Sequence, residues 1–595
     1  MENKTSIIGF VLIGILLVLW MWLVSPPPQA PRPAHPDSVR VAAPAPDTVR
    51  RKPAAVEADT SKGSRWGAYF APAATGSEGI ITVTTDQYVA RISTRGGVIR
   101  TWELRLFKTW DKQPVELVDF EHGGDLSVLF TSADGRLINT HDLYFQPSVS
   151  GGTSVQLSGK ETFSLDLSLQ AGNGSRLVKR LTFTNGTYAI DADFIWQNMD
   201  RVVSNFEYQV AWESGLRYAE HNSVDESSFA MAYASMGGEV KEIDATKSSE
   251  TPKFEGNGTT NWVAARTKYF LLALLPEEGK AQGAYLEGHR QDMADHGEKE
   301  SYTVALKMPL KGGAMVTDRV TLFLGPLDYE TVKGFGRGLD NVMSLGAAWI
   351  IRPIAEYVMI PIFQFLRMII PNYGVVIIVF AIIIMGATYP LTRSSMRSMR
   401  KMQALQPLME EVKEKYKGDP QKANAAVFNL YKEYGVSPAG GCLPVILQMP
   451  VLFALYAVLR SNIGLRQADF AFWIHDLSIP DTVIHLPFTI PFFGITALSG
   501  LALAMGLATF FQQKQTLTDP RQKSMVYVMP VMLTLVFNSL PAGLNLYYFV
   551  FNILSIGQRL WMNHKSKDEP LRKVDPKKRK GGIMERLARD LPKVK

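Results

Sequence analysis

Hydrophobic and polar positions follow three different rhythms along the chain. Residues 7–24 (IIGFVLIGILLVLWMWLV) form an unbroken apolar run, long enough to cross a membrane, with Trp20 and Trp22 near one interface. A cleaved signal peptide is the rival reading. The length of the run and the SPPPQAPRP that follows it, without a small-x-small site, favour an uncleaved anchor over residues 1–24. Residues 25–65 are rich in Pro and Ala and read as a semi-extended linker. From about 66 to 330 the period is two. In FSLDLSLQ, Phe163, Leu165, Leu167 and Leu169 alternate with polar residues, and ITVTT and TYAIDADF do the same. The dipeptides Asn173-Gly174, Asn185-Gly186 and Asn257-Gly258 punctuate these runs as turns. The pattern predicts one large antiparallel β domain of two packed sheets.

After Pro326 the rhythm becomes helical. Residues 331–350 (TVKGFGRGLDNVMSLGAAWI) are amphipathic and predict a helix lying on a membrane surface, with a soluble linker helix as the alternative. Five further apolar spans are predicted at about 372–391, 442–461, 490–511, 525–540 and 543–562, with a tight turn at Asn538–Gly543. The expected architecture is therefore multidomain α+β: a six-span helical membrane protein whose five-helix core occupies 351–562, carrying an exported antiparallel β-sandwich.

Charge orients these spans. Residues 393–438 hold nine Lys/Arg and five acids, the 563–595 tail holds twelve and five, and the 463–489 connection holds one Arg and three Asp. Basic segments stay in the cytoplasm. Both termini, the 394–435 segment and the 512–524 loop are thus expected in the cytoplasm, with residues 25–350 on the other side. The basic tail would lie within reach of anionic lipid or of ribosomal RNA, with topological bias as the plainer explanation; it implies no specific nucleic-acid sequence.

Residues 394–435 predict a helical hairpin. Met396, Met399 and Met402 lead an apolar face, Arg397 and Arg400 flank it, Pro407 is expected to bend the first helix, and Asp419-Pro420 and Gly435 mark the start and end of the second. A Met-rich face suits adaptable apolar contact and equally suits packing of the two helices on each other. In the last span Asn545, Tyr548, Asn552, Ser555 and Arg559 recur at spacings of 3, 4, 3 and 4, one polar stripe on one helical face. Gln448 adds a polar group to the third span. The stripe either lines a cavity or joins helices.

Several chemistries are excluded. Cys442 is the sole cysteine, which leaves no disulfide and no cysteine zinc site. There is no Walker loop, HExxH or GxSxG, and the nine histidines are not spaced as metal ligands. No cofactor, metal or catalytic residue is expected. Glu220-His221 reads as surface. No charge sits mid-span, which argues against a proton-coupled pump.

The ordered motifs TYPLTRSSMRSMRKMQALQP (388–407), GVSPAGGCLPVILQMPVLFALY (435–456), LRQADFAFWIHDLS (465–478), TDPRQK (518–523), VMPVMLT (528–534) and LPAGLNLYYFVFN (540–552) resemble the YidC membrane-protein insertases, in the long form of double-membraned bacteria. The resemblance implies an inner-membrane insertase and chaperone with a hydrophilic groove open to cytoplasm and lipid, no nucleotide, and a β-supersandwich domain resembling sugar epimerases in the periplasm. It implies nascent membrane proteins as clients, the Sec translocon as partner, and hairpin and tail meeting the nascent chain or the ribosome. Gln448 and Tyr548 match groove or contact positions. A transporter with an exported receptor domain and an envelope-assembly scaffold are the competing readings.

The sequence departs from the family at one point. An Arg, or sometimes a Lys, usually stands four residues before the Tyr of Tyr-Pro-Leu-Thr; here Met385 does, and Ala381 replaces the Thr often found a turn earlier. The nearest cation on that helix is Arg393, ~12 Å along the axis. A groove without its fixed cation should attract acidic client segments weakly. Met385→Arg should therefore raise insertion of a client with an acidic leading segment about fivefold, the factor that ~1 kcal/mol of attraction in a hydrated site supplies, and leave a neutral-led client unchanged. Protease protection of paired clients reads this out, and an equal response from both would refute it.

Overall fold

The computed structural model describes residues 62–119, 122–436, 443–490, 493–514, 523–565 and 573. The 7–24 span, nearly all of the 25–65 linker, most of the 512–524 loop, Cys442 and nearly all of the tail beyond Lys565 lie outside the described residues. The chain divides into two compact units, one of β structure ending at Met343 and one of helices beginning at Ser344.

Period-2 patterning places the β core. Along Thr162–Gln170, Leu165, Leu167 and Leu169 are fully buried and the residues between them are not, because successive side chains of a strand leave opposite faces. The strand pairs antiparallel with Arg176–Thr184, Leu167 opposite Lys179, across the turn that holds Asn173-Gly174. Asn185-Gly186 turns that strand into Ala189–Gln197, with Gly186 at φ +90°. These strands lie at one end of a 14-stranded sheet; a second sheet has five strands. Trp102, Trp196, Trp212 and Trp262 fill the interior.

Two expectations for this unit change. Asn257-Gly258 does not turn the chain. It lies inside the strand Lys253–Arg266, where the register slips between Asn257 and Thr260, so a Gly that could serve a turn serves a bulge instead. The pairing is also not wholly antiparallel: Ser154–Gln156 runs parallel to Ile80–Thr84 at the edge of the smaller sheet.

The helix expected over 331–350 is a correction. Asp328 caps a short helix, Tyr329–Gly334, which then stops. Gly336, Arg337 and Gly338 all have φ between +53° and +69°, a left-handed stretch that no right-handed helix can continue through. A 3-10 turn at Leu339–Val342 follows. The segment is fastened to the β unit: Trp262 Nε1 donates to the Arg337 carbonyl at 3.0 Å, and Arg266 Nη1 to the Val342 carbonyl at 2.7 Å. The amphipathic helical run comes later, over Ile351–Ile369, interrupted by a π turn at Ala355–Met359. It buries Met359, Phe363 and Leu366 and exposes Tyr357, Phe365, Met368 and Ile369.

One buried cation links the two sheets. Lys179 is wholly buried, and its Nζ donates to the carbonyls of Leu126 at 2.9 Å, Gly96 at 3.0 Å and Gly97 at 3.3 Å. Three carbonyls surround the buried amine, enough to accept every N–H it carries whether charged or neutral. Nearby Asp125 is also buried and accepts from the Ser214 hydroxyl and from the Glu213 and Ser214 amides. Burial pushes Lys179 down to about 7, partly opposed by Asp125 and Glu213, and pushes Asp125 up. The folded chain thus releases the Lys179 proton below the ordinary 10.5 of the unfolded chain. Between those values the unfolded state binds more protons, so the Lys179 contribution to stability grows as pH rises and is lost as pH falls through about 7. Lys179→Met should remove that slope and lower stability by about 1–3 kcal/mol, since three buried carbonyls lose their donor. Urea unfolding of the full chain in detergent, followed by tryptophan fluorescence from pH 7 to 10, checks both; an unchanged slope would refute the assignment.

Candidate functional site

The helical unit carries the polar residues singled out in the sequence. Its amphipathic run ends in α1 (Ile360–Ile369), and α2 (Tyr373–Lys415) follows, with Asn372 as its cap accepting from the Val375 amide at 3.1 Å. α2 is one 43-residue helix that passes through Pro390 and Pro407. The apolar stretch and the first arm of the hairpin, expected as separate helices, are therefore continuous. α3 (Pro420–Tyr434) is the second arm; Asp419 accepts from the Lys422 amide and Gly435 closes it in the left-handed region, as the sequence predicts. α4 (Leu443–Ser461), α5 (Gly500–Lys514), α6 (Lys523–Phe537) and α7 (Ala542–Lys565) complete the unit. Ile490 and Ile495–Ser499, expected at the start of the fourth span, are instead part of a β-hairpin, Thr482–Ile490 paired with Ile495–Ser499. Gly494, at φ +63°, lies in its turn, and β-branched residues suit its strands.

Among the described residues one helical stretch, Tyr373–Pro390, is long and apolar enough to cross a membrane, and Val526–Phe537 is a shorter apolar helix. On α2, Val376, Ile377, Phe380, Ala381 and Ile384 are buried, whereas Ile382 and Ile383 are exposed. Phe380 packs on Phe363 and Tyr547, with centroids 6.1 and 6.3 Å away. Met385 continues the Ile377–Ala381 line but is only half-buried, at the point where packing against neighbouring helices gives out.

The stripe on α7 resolves into residues with different surroundings. Asn545 is fully buried, and its Nδ2 donates to the carbonyls of Phe537, the last residue of α6, at 3.1 Å and of Leu540 in the following turn at 3.4 Å, while its Oδ1 has no partner among the described residues. Its place in an open groove is corrected: it is a joint between helices. Asn552 is half-buried and donates to Thr509 Oγ1 on α5 at 3.0 Å. Arg559 Nη1 reaches the Gln512 carbonyl, also on α5, at 3.4 Å. Tyr548 is half-buried and meets the Phe537 ring edge-on at 4.9 Å; Ser555 is half-buried on the same face. Gln448 is half-buried on α4 beside Pro450. α7 packs on α2 and α5 and also touches α4, so the helices bearing Met385, Gln448 and Tyr548 are neighbours.

In the hairpin, Met396 is buried, as are Leu405 and Val427, while Met402 is half-buried and Arg397 exposed. Arg400 is half-buried and Met399 lies on the same helix. Part of the Met-rich face is thus spent within the fold. His221, weighed for acid–base work, packs edge-on against Trp110 at 4.5 Å. Among the described residues no cluster of His, Cys, Asp or Glu could hold a metal ion.

Sequence reasoning missed a polar knot at the end of the unit where the 462–499 connection lies. Buried Asp481 accepts from Trp473 Nε1 at 2.9 Å and from the Leu501 amide at 2.7 Å, and its carbonyl accepts from the Gly500 amide at 3.0 Å. Asn538 accepts from the Ser499 amide at 2.9 Å and donates to the Ala497 carbonyl at 2.8 Å. The Ala542 and Gly543 amides bond the Ile479 and Leu477 carbonyls, both at 2.8 Å. An Asp just ahead of a helix was the available signal; its 19-residue separation from Gly500 hid it.

Two family models match, the 60Kd inner membrane protein over residues 365–569 and the YidC periplasmic domain over 80–357. The membrane protein insertase YidC of Chlorobaculum parvum is 38% identical over 574 residues, 95% of each chain. The chain belongs to the YidC membrane protein insertase family. The YidC protein of Chloroherpeton thalassium is 36% identical and covers 97% of this chain and 98% of its own. A crystal structure of an active YidC insertase with its first transmembrane domain resolved aligns at 18% identity and a TM-score of 0.34, over 81% of this chain and 93% of that one. A putative aldose 1-epimerase of Escherichia coli K12 covers 42% of this chain and all of its own, at 11% identity and a TM-score of 0.27. In YidC terms the β unit falls under the periplasmic-domain match and α1–α7 under the inner-membrane one.

Because Asn545 joins α7 to the end of α6, Asn545→Leu should destabilise the protein by about 1 kcal/mol by removing a donor to the Phe537 and Leu540 carbonyls. Asn552→Leu, at a half-buried position, should cost less. Thermal shift of the purified chain in detergent ranks them, and equal stability of Asn545→Leu and wild type would refute the joint.

Proposed function

We propose that this protein is a membrane-protein insertase and chaperone that accepts nascent apolar segments and releases them into the inner-membrane bilayer, alone or with the Sec translocon. The observation that carries the reading is full-length similarity: 38% identity spanning 95% of the chain to a protein named membrane protein insertase YidC. A six-span topology with both termini in the cytoplasm agrees with the basic 393–438 segment and tail. In it, α2 through its apolar stretch and α4 to α7 are five spans, and residues 7–24 are the sixth.

Met385, Gln448, Tyr548 and Ser555, all half-buried on neighbouring helices, supply the groove contacts; Asn552 serves both its bond to Thr509 and the groove margin. A short polar stretch of a client enters from the cytoplasm. The polar knot of Asp481, Asn538 and Asn545 closes the opposite end. The client's apolar helix then moves into lipid along the second and fifth of the six spans. Exposed Ile382 and Ile383 on α2 and Tyr527, Val528 and Val531 on α6 suit such a path. Apolar transfer, roughly 25 cal/mol per Å² buried, drives the step without a nucleotide. The exposed face of Ile351–Ile369 lies on the membrane surface. Met402 and Arg397 on the hairpin, with the basic tail, meet the nascent chain or ribosome, and anionic lipid attracts the tail.

Depleting the protein should stop insertion of small single- and double-spanning proteins, read by protease protection. Photo-crosslinkers at Met385 and Tyr548 should capture their apolar segments. Normal insertion after depletion would sink the insertase reading; solute flux through the reconstituted protein would favour a transporter.

A further inference from the structure

The β-hairpin Thr482–Ile490/Ile495–Ser499 joins α4 to α5 and has no role in the groove. Residues 482–499 (TVIHLPFTIPFFGITALS) contain no Lys, Arg, Asp or Glu. Val483, Ile484 and Phe488 are 41%, 50% and 62% exposed. Large apolar side chains are therefore uncovered, beside exposed but uncharged His485, Thr489 and Thr496. A site for a protein partner ordinarily presents an apolar centre inside a polar, often charged, rim; this hairpin carries no Lys, Arg, Asp or Glu to form one. Phe472 and Trp473, 88% and 45% exposed, extend the apolar surface toward its base.

The base is fixed while the rest projects. Asp481 and Asn538 bind Trp473, Ala497, Ser499, Gly500 and Leu501 through the bonds given above, so the hairpin is held to the ends of α5 and α6. The apolar part of α5 is short. From Gly500 to Phe511 it has twelve residues before Gln512, Gln513 and Lys514, ~18 Å at 1.5 Å per residue. A hydrocarbon core is about 30 Å thick. Roughly 12 Å remains, and the segment that precedes Gly500 is the hairpin. A two-stranded sheet also has two edges of unpaired N–H and C=O groups, which bare hydrocarbon does not tolerate. Those edges limit its depth to the level where headgroups and water can still bond them.

We propose that this hairpin is a lipid anchor in the outer interfacial zone of the bilayer, with Val483, Ile484 and Phe488 against acyl chains and its backbone edges at headgroup depth. It makes up the apolar length that α5 lacks and seats the closed end of the groove in the membrane. The inference rests on the reading of α4 and α5 as membrane spans.

The test uses the full chain with Cys442→Ser and one new cysteine, at Phe488→Cys or, as a control within α2, at Ile383→Cys, each labelled with a nitrobenzoxadiazole dye. The protein is reconstituted in phosphatidylcholine/phosphatidylglycerol vesicles carrying 5-doxyl or 12-doxyl lipid. The dye at 488 should be quenched at least twofold more by 5-doxyl than by 12-doxyl lipid and be shielded severalfold from aqueous iodide. The dye at 383 should be quenched more by the 12-doxyl lipid. Iodide access at 488 without doxyl quenching, with 383 still quenched, overturns the anchor and leaves the spans standing. Shielding of 488 from both quenchers means that protein, such as a second copy, covers it, and also overturns the anchor. Loss of doxyl quenching at both positions overturns the span reading and the anchor with it.

Discussion

A polar group taken out of water must find a partner, and this one constraint shapes both units. In the β unit Lys179 donates to the carbonyls of Leu126, Gly96 and Gly97, and the strand that carries it is thereby fastened to a turn of the other sheet. In the helical unit the same demand acts at helix ends, where carbonyls and amides run out of intrahelical partners. Asn545 donates to the end of α6, and Asp481 with Asn538 satisfies the start of α5. Polar side chains that look functional along a sequence are here largely structural, because the bonds they make are ones the fold cannot leave open.

That assignment separates closing from accepting. The buried polar residues Asp481, Asn538 and Asn545 lie where the 462–499 connection meets the helix ends, and the half-buried ones, Tyr548, Ser555 and Gln448, lie farther along their helices. A site that takes many unrelated apolar segments gains little from tightly bonded polar groups. Water-accessible, half-buried residues on packed helices suit it better. Met385 is half-buried, and it keeps the line of α2 free of a charge that would cost about 2.5–3.5 kcal/mol at the middle of a span. Close helix contact elsewhere keeps the frame rigid. A Cβ at Gly506 would sit 1.9 Å from Thr534 Oγ1, so α5 and α6 approach each other through a small residue.

Much of the architecture was legible in residue order. Alternation along FSLDLSLQ marked a strand with one buried face, and Asn185-Gly186 marked its neighbour's turn. Asp419-Pro420 and Gly435 marked the ends of α3. The misses have common causes. Asn257-Gly258 has the composition of a turn, but pairing on both sides holds it in a strand. Residues 331–350 have helical periodicity, but three successive positive φ values at Gly336–Gly338 break it, and the β unit supplies the carbonyl partners that make the broken form favourable. The amphipathic helical run lies over Ile351–Ile369, in a segment that the sequence pattern assigns to the start of the span core. Periodicity also could not tell the fourth span from the apolar hairpin before it, since a short apolar run reads alike in either form.

The sequence by itself determined what depends on neighbours along the chain: which segments are apolar enough to leave water, which faces of strands turn inward, where helices are capped, and, through collinear motifs, the family. Tertiary structure alone decided which polar residues are spent and which remain open. Asn545, Asn552 and Tyr548 share one helical face and are indistinguishable by spacing. They differ because Asn545 meets carbonyls at and just beyond the end of α6, Asn552 meets a hydroxyl on α5, and Tyr548 packs on the Phe537 and Tyr547 rings. A hydrogen bond is a property of two groups brought within about 3 Å, and the second group, distant in sequence, has no trace in the spacing of the first.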